Sequence, residues 1–319
     1  MSGAVGAARA IAGDIKLAHS VFALPFAVLG MVWAAAWRAA RGGGAVGPAG
    51  VLGVAWWEIG LVLVCMVSAR TVAMTMNRWA DRVIDAGNPR TAGRAIPSGK
   101  VSANSVLNAG AAASAIFVVA CGGFGFLGDN WWPARLSVPV LLWLAGYAYA
   151  KRFTAWCHVI LGVALAMSPV AAALAIDPGY VVSDAGRGVW WLAGFVLLWV
   201  AGFDVIYATA DEQFDRREGL HSLPAALGTS GALWVSRAMH AAALVCLLLS
   251  QPLYPTELRD LPWLIGVALT AGLLITEHAI VWRAERRRDP KLLDAAFFTA
   301  NGVIAVVLGV GGCIAVVML

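Results

Sequence analysis

Long apolar runs alternate with short polar segments along the whole chain. Five runs contain no Asp, Glu, Lys or Arg, and they cover residues 17–37, 101–128, 153–176, 238–256 and 295–319. Four further runs are shorter or carry one acidic residue, and they cover residues 46–76, 136–150, 188–210 and 261–282. A helix needs roughly 20 mostly apolar residues to cross a bilayer. The pattern therefore predicts nine transmembrane helices.

The composition agrees with a chain surrounded by lipid. Hydrophobic residues make up 61% of the sequence before its 35 glycines are counted, and charged residues make up 13%. A soluble domain has about 45–50% apolar residues with glycine included, so soluble, disordered and collagen-like classes are excluded. The five cysteines show no CxxC spacing and predict neither a zinc site nor a disulfide framework. We expect one all-α transmembrane domain over residues 1–319.

Basic residues between the spans predict the orientation of the chain. With nine spans, the N-terminus and the loops after the even-numbered spans carry sixteen Lys and Arg, whereas the opposite loops carry five. Because positively charged loops stay in the cytoplasm, we expect the N-terminus and the polar loops to be cytoplasmic. The first span lacks an obvious cleavage site and is interpreted as a retained helix. This topology explains the net charge of +5 without a nucleic-acid partner.

A group of polar residues closes the second span. Asn77, Asp81 and Asp85 are spaced four apart, which places one amide and two carboxylates on one face of a helix. Stacked carboxylates repel unless a cation binds, and Mg²⁺ prefers one or two carboxylates together with phosphate oxygens and water. The alternative is a solvated helix end whose acids pair with neighbouring arginines, namely Arg78, Arg82 and Arg90.

A second acidic group follows the sixth span. Asp211 and Asp215 are again four residues apart, and Asp204 and Tyr207 precede Asp211 on the same helical stripe. Tyr207 is therefore a candidate for orienting a substrate or an aspartate. Because the acidic groups follow spans two and six, the chain divides into a pseudo-repeat of four plus four plus one helices. Two such groups beside Arg and Lys suit a diphosphate held between two magnesium ions.

Basic residues in the same set of loops can bind phosphate. A turn-rich segment after Asp85 can fold back over the site, and within it Arg94 is the first candidate for a phosphate fork and Arg90 the second. Lys151 and Arg152 end the fourth span on the same side. They are either further phosphate ligands or simple membrane anchors.

Other polar residues inside the spans are given plainer interpretations. His158, His240 and His278 show no ligand spacing, so we expect them to be packing residues. Glu277 lies toward the cytoplasmic end of its span and is expected to extend to the interface.

Three segments together closely resemble the UbiA-type intramembrane prenyltransferases, particularly the 4-hydroxybenzoate polyprenyltransferase-like branch. They read NRWADRVIDAGNPRTAGRAIPSG, YAKRFTAWCHVILG and YATADEQFDRREGLHSLPAALG. The resemblance extends over nearly the whole chain and begins with DIKLAHSVFALPFAVLG. It implies nine transmembrane helices around a central cavity in the bacterial inner membrane.

The resemblance also implies a role for each polar group. The first metal motif of the family is matched by Asn77, Asp81 and Asp85, and the second is matched by Asp211 and Asp215. Arg94 matches the arginine of the loop after the first motif. Lys151 and Arg152 match a basic pair at the diphosphate or the aromatic acid. Ala95 stands where many relatives have proline, a difference to which we assign no chemical consequence.

The activity implied is transfer of a polyprenyl group from an allylic polyprenyl diphosphate to an aromatic acid, 4-hydroxybenzoate or a related precursor of ubiquinone or menaquinone. The four motif aspartates and Arg94 would be catalytic, with two magnesium ions as cofactor and membrane lipid as surroundings. Lys16, at the mouth of the first span, either meets the aromatic carboxylate or anchors the helix.

Other functions remain open at this stage. The acceptor could be a menaquinone precursor, haem, chlorophyllide or a lipid, because the shape of the cavity selects it. A membrane cation transporter is a different class, but it predicts acids and broken helices near mid-span rather than at helix ends. The DGxxAR-type signature of alcohol phosphatidyltransferases is absent from the sequence.

Overall fold

The computed structural model describes residue 13 and residues 22–42, 50–51, 53–250, 261–287 and 300–317. The chain divides into two compact units. The first comprises Met1–Ser20 and Gly60–Phe153, and the second comprises Val21–Ile59 and Thr154–Leu319. Each unit is described by itself.

The described residues form nine helices of 15 to 27 residues. In chain order these are α1 (Leu24–Ala40), α2 (Trp56–Ala80), α3 (Ala103–Gly128), α4 (Trp132–Gly146), α5 (Cys157–Ile176), α6 (Arg187–Ala208), α7 (Leu223–Leu249), α8 (Leu261–Arg287) and α9 (Asn301–Val317). Three short helices cover Arg82–Gly87, Pro178–Val182 and Glu212–Arg217, and three 3₁₀ turns cover Tyr147–Arg152, Asp184–Gly186 and Thr209–Asp211.

The fold is not purely helical, because two short strands pair between α1 and α2. β1 (Gly50–Val51) and β2 (Val54–Ala55) are antiparallel, with Gly50 opposite Ala55. Gly53 in the turn has a φ of 77°, a conformation that glycine adopts without steric cost. The described chain is otherwise helical, so this hairpin is a local addition to the expected all-α fold.

Six stretches of the described helices are long and apolar enough to cross a membrane. They are Trp56–Ala80, Ala103–Gly128, Cys157–Ile176, Asp184–Arg217, Leu223–Leu249 and Leu261–Ala284. Two shorter apolar helices are Leu24–Ala40 and Asn301–Ala315. These spans mark an integral membrane protein, while the count of nine spans remains a prediction.

Several predicted span boundaries differ from the observed helix ends, and at α7 a side-chain cap rather than a charge sets the start. The span predicted from residue 238 belongs to α7, which starts at Leu223 where the Ser222 side chain accepts a hydrogen bond from the Ala225 N–H at 3.3 Å. Arg237 stays inside α7, with its guanidinium 4.8 Å from the Trp234 ring centroid. Likewise, α2 begins at Trp56 within the run predicted from residue 46, and α4 begins at Trp132, before the run predicted from residue 136.

A buried ion pair closes the hairpin region of the second unit. Both carboxylate oxygens of Glu58 bind Arg38, at 2.7 and 3.0 Å. Arg38 also donates to the backbone carbonyls of Gly53 and Ile176, each at 3.1 Å. Because Glu58 is 3% exposed, the ion pair offsets the cost of burying its charge.

Close backbone contacts hold the second unit together. Helix α6 packs against α5 and α7, α1 packs against α5 and α9, and α9 packs against α8. Glycines allow the closest approaches: a Cβ at Gly162 would overlap the backbone carbonyl of Leu197, and a Cβ at Gly30 would overlap that of Pro169. Small residues at such contacts are typical of helix packing in membranes.

In the first unit, α3 packs against α4. The thiols of Cys65 on α2 and Cys121 on α3 lie 3.8 Å apart. All five cysteines lie among the described residues and carry free thiols.

The contact between α5 and α6 predicts the effect of a small substitution. Gly162→Ala should lower the unfolding midpoint of the purified protein by at least about 2 °C, because overpacking costs about 1–3 kcal/mol. Gly272→Ala on α8 is the matched control, since nothing lies within 4 Å of the added Cβ. The control should be neutral or stabilising, as alanine is the better helix former. Equal midpoints for the two variants would contradict the close contact.

Candidate active site

The first acidic motif keeps its helical spacing through a change of helix. Helix α2 ends at Ala80, and the short helix Arg82–Gly87 follows after Asp81. The backbone N–H of Asp81 donates to the Asn77 carbonyl at 3.0 Å, and that of Asp85 donates to the Asp81 carbonyl at 2.7 Å. The predicted stack of one amide and two carboxylates on one face is therefore present.

Both carboxylates of this motif are buried. Asp81 is 2% exposed and Asp85 is 3% exposed, so the alternative of a solvated helix end is wrong. A buried carboxylate is several kcal/mol less favourable than one in water unless cations and hydrogen bonds compensate. The arrangement therefore depends on positive groups brought in from elsewhere in the chain.

Lys151 and Arg152 compensate Asp81. The Lys151 Nζ lies 3.1 Å from Oδ2 of Asp81, and the Arg152 Nη2 donates to Oδ1 at 3.1 Å. Arg152 also donates to the Ala80 carbonyl at 2.8 Å, which satisfies an acceptor at the end of α2. The sequence predicted that both residues lie on the same side of the membrane as the motif. In the structure both contact its Asp81 carboxylate.

Arg94 compensates Asp85 by a fold-back of the following loop. Its Nη1 donates to both carboxylate oxygens of Asp85, each at 2.7 Å, so this pair uses a single nitrogen of the guanidinium. Consecutive turns shape the loop: the Asn88 side chain accepts from the Arg90 N–H at 2.9 Å, and the Thr91 hydroxyl donates to the Asp85 carbonyl at 3.1 Å. Arg90 itself is exposed.

Ala95, at the position where the sequence departs from the family pattern, is packed into the end of the loop. Ala95 is 5% exposed and belongs to a small apolar cluster with Val101 and Val106. Its backbone carbonyl accepts from the Val101 N–H at 3.1 Å, which closes the loop before α3.

The second acidic motif has a comparable helix break in the second unit. After α6 the chain forms the 3₁₀ turn Thr209–Asp211 and the short helix Glu212–Arg217. Asp215 is 8% exposed, and Asp211 and Tyr207 are half-buried. The Asp215 carbonyl accepts from the Leu220 N–H at 2.8 Å, which turns the chain toward α7.

Glu212, which was not singled out in the sequence, fixes this segment to α7. Helix α7 is interrupted at Gly228, whose φ is 73° and ψ 163°. Beyond that kink, Glu212 Oε2 accepts from the Thr229 N–H at 2.8 Å and from the Thr229 hydroxyl. Arg216 binds the other oxygen of Glu212 at 3.1 Å. Glu212 thus caps the restarted helix as an N-cap residue does.

His158 is bound to Asp204 rather than packed among apolar groups, so its expected packing role is wrong. The His158 Nδ1 lies 2.7 Å from Asp204 Oδ2. An acidic residue within a span requires a polar partner, and this rule, applied to Asp204, would have directed attention to the few histidines in the spans.

His240, His278 and Glu277 also form a polar network instead of filling the roles expected of them. His240 Nδ1 lies 3.0 Å from His278 Nε2, and the Trp199 carbonyl oxygen lies 3.2 Å from His240 Nε2. Asn301 accepts from the Trp199 indole at 2.6 Å and donates to Glu277 at 2.8 Å. Glu277 is 0% exposed, so it does not extend to the interface.

Two further basic residues, Lys16 and Arg70, are candidates for the site. Lys16 lies outside the described residues. Arg70 was not predicted, yet it lies two turns before Asn77 on the same face of α2, with a half-buried side chain. An arginine within a span is a functional candidate in its own right.

The polar atoms of the motifs suit a hard cation. Within the described part of the chain, no group of three or more His, Cys, Asp and Glu side chains converges on one point. The first motif instead offers oxygens from Asn77, Asp81 and Asp85, with Asn77 Nδ2 3.4 Å from Asp81 Oδ2. Oxygen donors without sulfur or imidazole fit Mg²⁺, which binds through one or two carboxylates and completes its shell with phosphate and water.

The fold and the buried charges define a helical integral membrane protein with a Lys- and Arg-balanced acidic site at helix ends. A model of the UbiA prenyltransferase family matches residues 23–302. The chain therefore belongs to the UbiA prenyltransferase family, whose members transfer prenyl groups.

Individual relatives support this membership. The 4-hydroxybenzoate octaprenyltransferase of Nitrosomonas europaea is 30% identical over 242 residues, 75% of each chain. A UbiA homologue of Aeropyrum pernix K1 is 31% identical, with a TM-score of 0.75 over 94% of this chain and 98% of that one. A UbiA homologue of Archaeoglobus fulgidus, solved with GPP and Mg²⁺, shares the fold at 17% identity, with a TM-score of 0.57 over 94% and 99% of the chains.

The Arg94–Asp85 contact leads to a prediction about turnover. Arg94→Ala should lower prenyl transfer about 100-fold, the scale expected when a donor that stabilises developing charge is lost. Arg94→Lys should recover only part of the rate, because a point charge cannot replace the guanidinium fork. Initial rates would be measured in membranes with matched protein amounts.

Lys100→Ala serves as the control, because Lys100 is an exposed basic residue at the end of the same loop. Its rate should stay near that of the wild type. If Arg94→Ala behaved like this control, the role of Arg94 would be limited to membrane topology.

Proposed function

We propose that this protein transfers a polyprenyl group from an allylic polyprenyl diphosphate to an aromatic acid, 4-hydroxybenzoate or a related quinone precursor. The observation that carries the proposal is the pair of buried carboxylates, Asp81 and Asp85, each held within about 3 Å by Lys or Arg. The name of the Nitrosomonas europaea relative and the GPP and Mg²⁺ in the Archaeoglobus fulgidus structure support the same reaction class.

The basic side chains of the first motif are placed to receive phosphate. Lys151, Arg152 and Arg94 already occupy positions beside the carboxylates, so a bound diphosphate can take over these cations when the carboxylates gain a metal ion. Arg binds phosphate through two parallel N–H groups and Lys binds it as a point charge. We assign Arg90, which is exposed in the same loop, to the outer rim of this phosphate site.

Magnesium would be held by Asn77, Asp81 and Asp85 in the first motif and by Asp211 and Asp215 in the second, and it would supply positive charge against the leaving diphosphate. The number of ions in this proposal is two, one for each motif. Tyr207, one helical turn before Asp211, would orient the substrate or that aspartate.

The chemistry is an ionisation followed by aromatic substitution. The allylic carbon–oxygen bond breaks, and the diphosphate leaves with the electron pair while Lys and Arg side chains bind its negative charge. The ring carbon beside the phenol hydroxyl then forms a carbon–carbon bond to the allylic cation. Loss of the proton from that ring carbon restores aromaticity. The surrounding apolar helices exclude water, which would otherwise capture the cation.

An aromatic carboxylate needs a cation of its own inside the membrane. Arg70 is a basic residue in the interior of α2, two turns before Asn77, and is our candidate for that role. Lys16 is the other candidate from the sequence. We assign neither residue to the diphosphate, because the loops and helix ends already provide its ligands.

We infer that nine spans, arranged as four plus four plus one, surround a central cavity. The excess of Lys and Arg in one set of loops supports an orientation with the N-terminus and both acidic motifs on the cytoplasmic side of the bacterial inner membrane.

The reaction is tested by incubating membranes that contain the protein with radiolabelled prenyl diphosphates and a panel of acceptors. The panel should include 4-hydroxybenzoate, a dihydroxynaphthoate and a glycerol-phosphate lipid precursor. We expect labelled product with a phenolic acid. Product formed only with the lipid acceptor would refute the aromatic assignment.

Activity should depend on a divalent cation. Chelation with EDTA should abolish prenyl transfer, and Mg²⁺ should restore it better than Zn²⁺, because the motif atoms are hard oxygen donors. Transfer would be followed across a Mg²⁺ titration after chelation. Turnover that survived thorough chelation would rule out the metal-assisted reaction.

The two acidic motifs should act as one functional unit. If both bind the same diphosphate, Asp81→Ala and Asp211→Ala should each cost nearly as much activity as the double variant, because groups that act together are not additive. Residual transfer would be compared in the two single variants and the double variant. Independent, multiplying losses would mean that the second motif is only a helix end.

A further inference from the structure

The imidazole ring of His158 connects three helices next to the second acidic motif. His158, at the start of α5, is 2% exposed. Its Nδ1 lies 2.7 Å from Oδ2 of Asp204 on α6, and its Nε2 accepts from the backbone N–H of Leu223 on α7 at 3.4 Å. Both ring nitrogens therefore have a partner.

The two contacts determine which ring nitrogen carries the proton. A backbone N–H only donates, so the Nε2 that faces Leu223 acts as the acceptor. In the neutral ring the proton then lies on Nδ1, which donates to the Asp204 carboxylate. A ring held at both nitrogens has one orientation, as in metal sites where an outer hydrogen bond fixes the first ligands.

The residues bound by His158 flank the segment that carries Asp211 and Asp215. Asp204 precedes this segment and Leu223 follows it. Leu223 belongs to an apolar cluster with Ala201 and Val205, the latter next to Asp204 on α6. The segment has a second attachment through Glu212 and Thr229. Its beginning, its end and one interior residue are thus fixed.

A hydrophobic pair of similar volume would fill this space without burying a carboxylate. The benefit of the polar pair is its direction, because a hydrogen bond sets an angle and a distance that apolar packing leaves free. Asp204 retains a partly open side chain, 26% exposed, while His158 is enclosed behind it.

We propose that His158 is a positioning residue for the second acidic motif, which it holds in place through Asp204 and Leu223. The proposal rests on the proposed function, since it assigns His158 to the same reaction without contact to substrate. Metal and diphosphate ligands need placement within roughly 0.5 Å, so a loosened segment binds them less well even when every ligand is present.

The test compares variants that keep or remove the donor at Nδ1. His158→Leu removes both contacts and keeps the volume. His158→Asn places an amide donor where Nδ1 lies, so the bond to Asp204 is retained. His240→Leu is the matched control, because His240 is another buried histidine with two hydrogen-bond partners that is not assigned to the motif.

The first measurement is hydrogen exchange of the substrate-free protein in detergent. We expect His158→Leu to speed exchange in residues 205–222 relative to the wild type, with His158→Asn close to the wild type and His240→Leu unchanged in that segment. Unchanged exchange in His158→Leu would overturn the proposal.

The second measurement is prenyl transfer against Mg²⁺ concentration. His158→Leu should raise the half-saturating Mg²⁺ concentration about tenfold, the lower end of the effect of removing outer support from a metal site, while the KM for the aromatic acid stays unchanged. His158→Asn should recover most of this shift. A shift in half-saturating Mg²⁺ concentration no larger in His158→Leu than in His240→Leu would overturn the positioning role. So would a failure of His158→Asn to restore the wild-type value.

The two measurements separate this proposal from the proposed function. Faster exchange in His158→Leu, together with a wild type that transfers to no phenolic acid, would refute the reaction and leave the positioning role standing. Unchanged exchange together with normal wild-type transfer would refute the positioning role and leave the reaction standing.

Discussion

Burial of carboxylates at helix ends is the constraint on which the rest of this structure depends. Asp81 and Asp85 lose almost all contact with water, and a charge in that position requires cations close by. The loop after the motif turns back to supply Arg94, and the 3₁₀ turn after α4 supplies Lys151 and Arg152. The local chain path in the first unit follows from these pairings. It also brings together the cations that the proposed function assigns to the diphosphate.

The second unit meets the same constraint with different groups. Asp204 pairs with His158. Glu212 accepts from the Thr229 N–H at the restart of α7 and pairs with Arg216. Farther from the motif, Glu277 is held by Asn301. Each of these three acids thus has a partner on another element, because an unpaired charge among apolar helices would be too costly. These pairs also fix how neighbouring helices approach one another.

The candidate site could be predicted in part. The spacing of Asn77, Asp81 and Asp85 is a local property, and a helix converts such spacing into one face wherever the helix lies. The fold-back toward Arg94 was predicted from turn residues that act over a few positions. His158 was missed because its partner is 46 residues away along the chain. Its spacing carries no signal, and only the packing of α5 on α6 creates the pair.

The sequence by itself determined that the chain belongs in a membrane, roughly where most of its helices lie, and which acids and bases are the candidates for the chemistry. These properties depend on composition and short-range periodicity. The tertiary structure decided which cation meets which carboxylate, where α7 begins, and that Glu277 and His240 join a buried network. Such features depend on contacts between residues distant in sequence, and a hydrogen bond between two helices forms only when their packing brings both partners within about 3 Å.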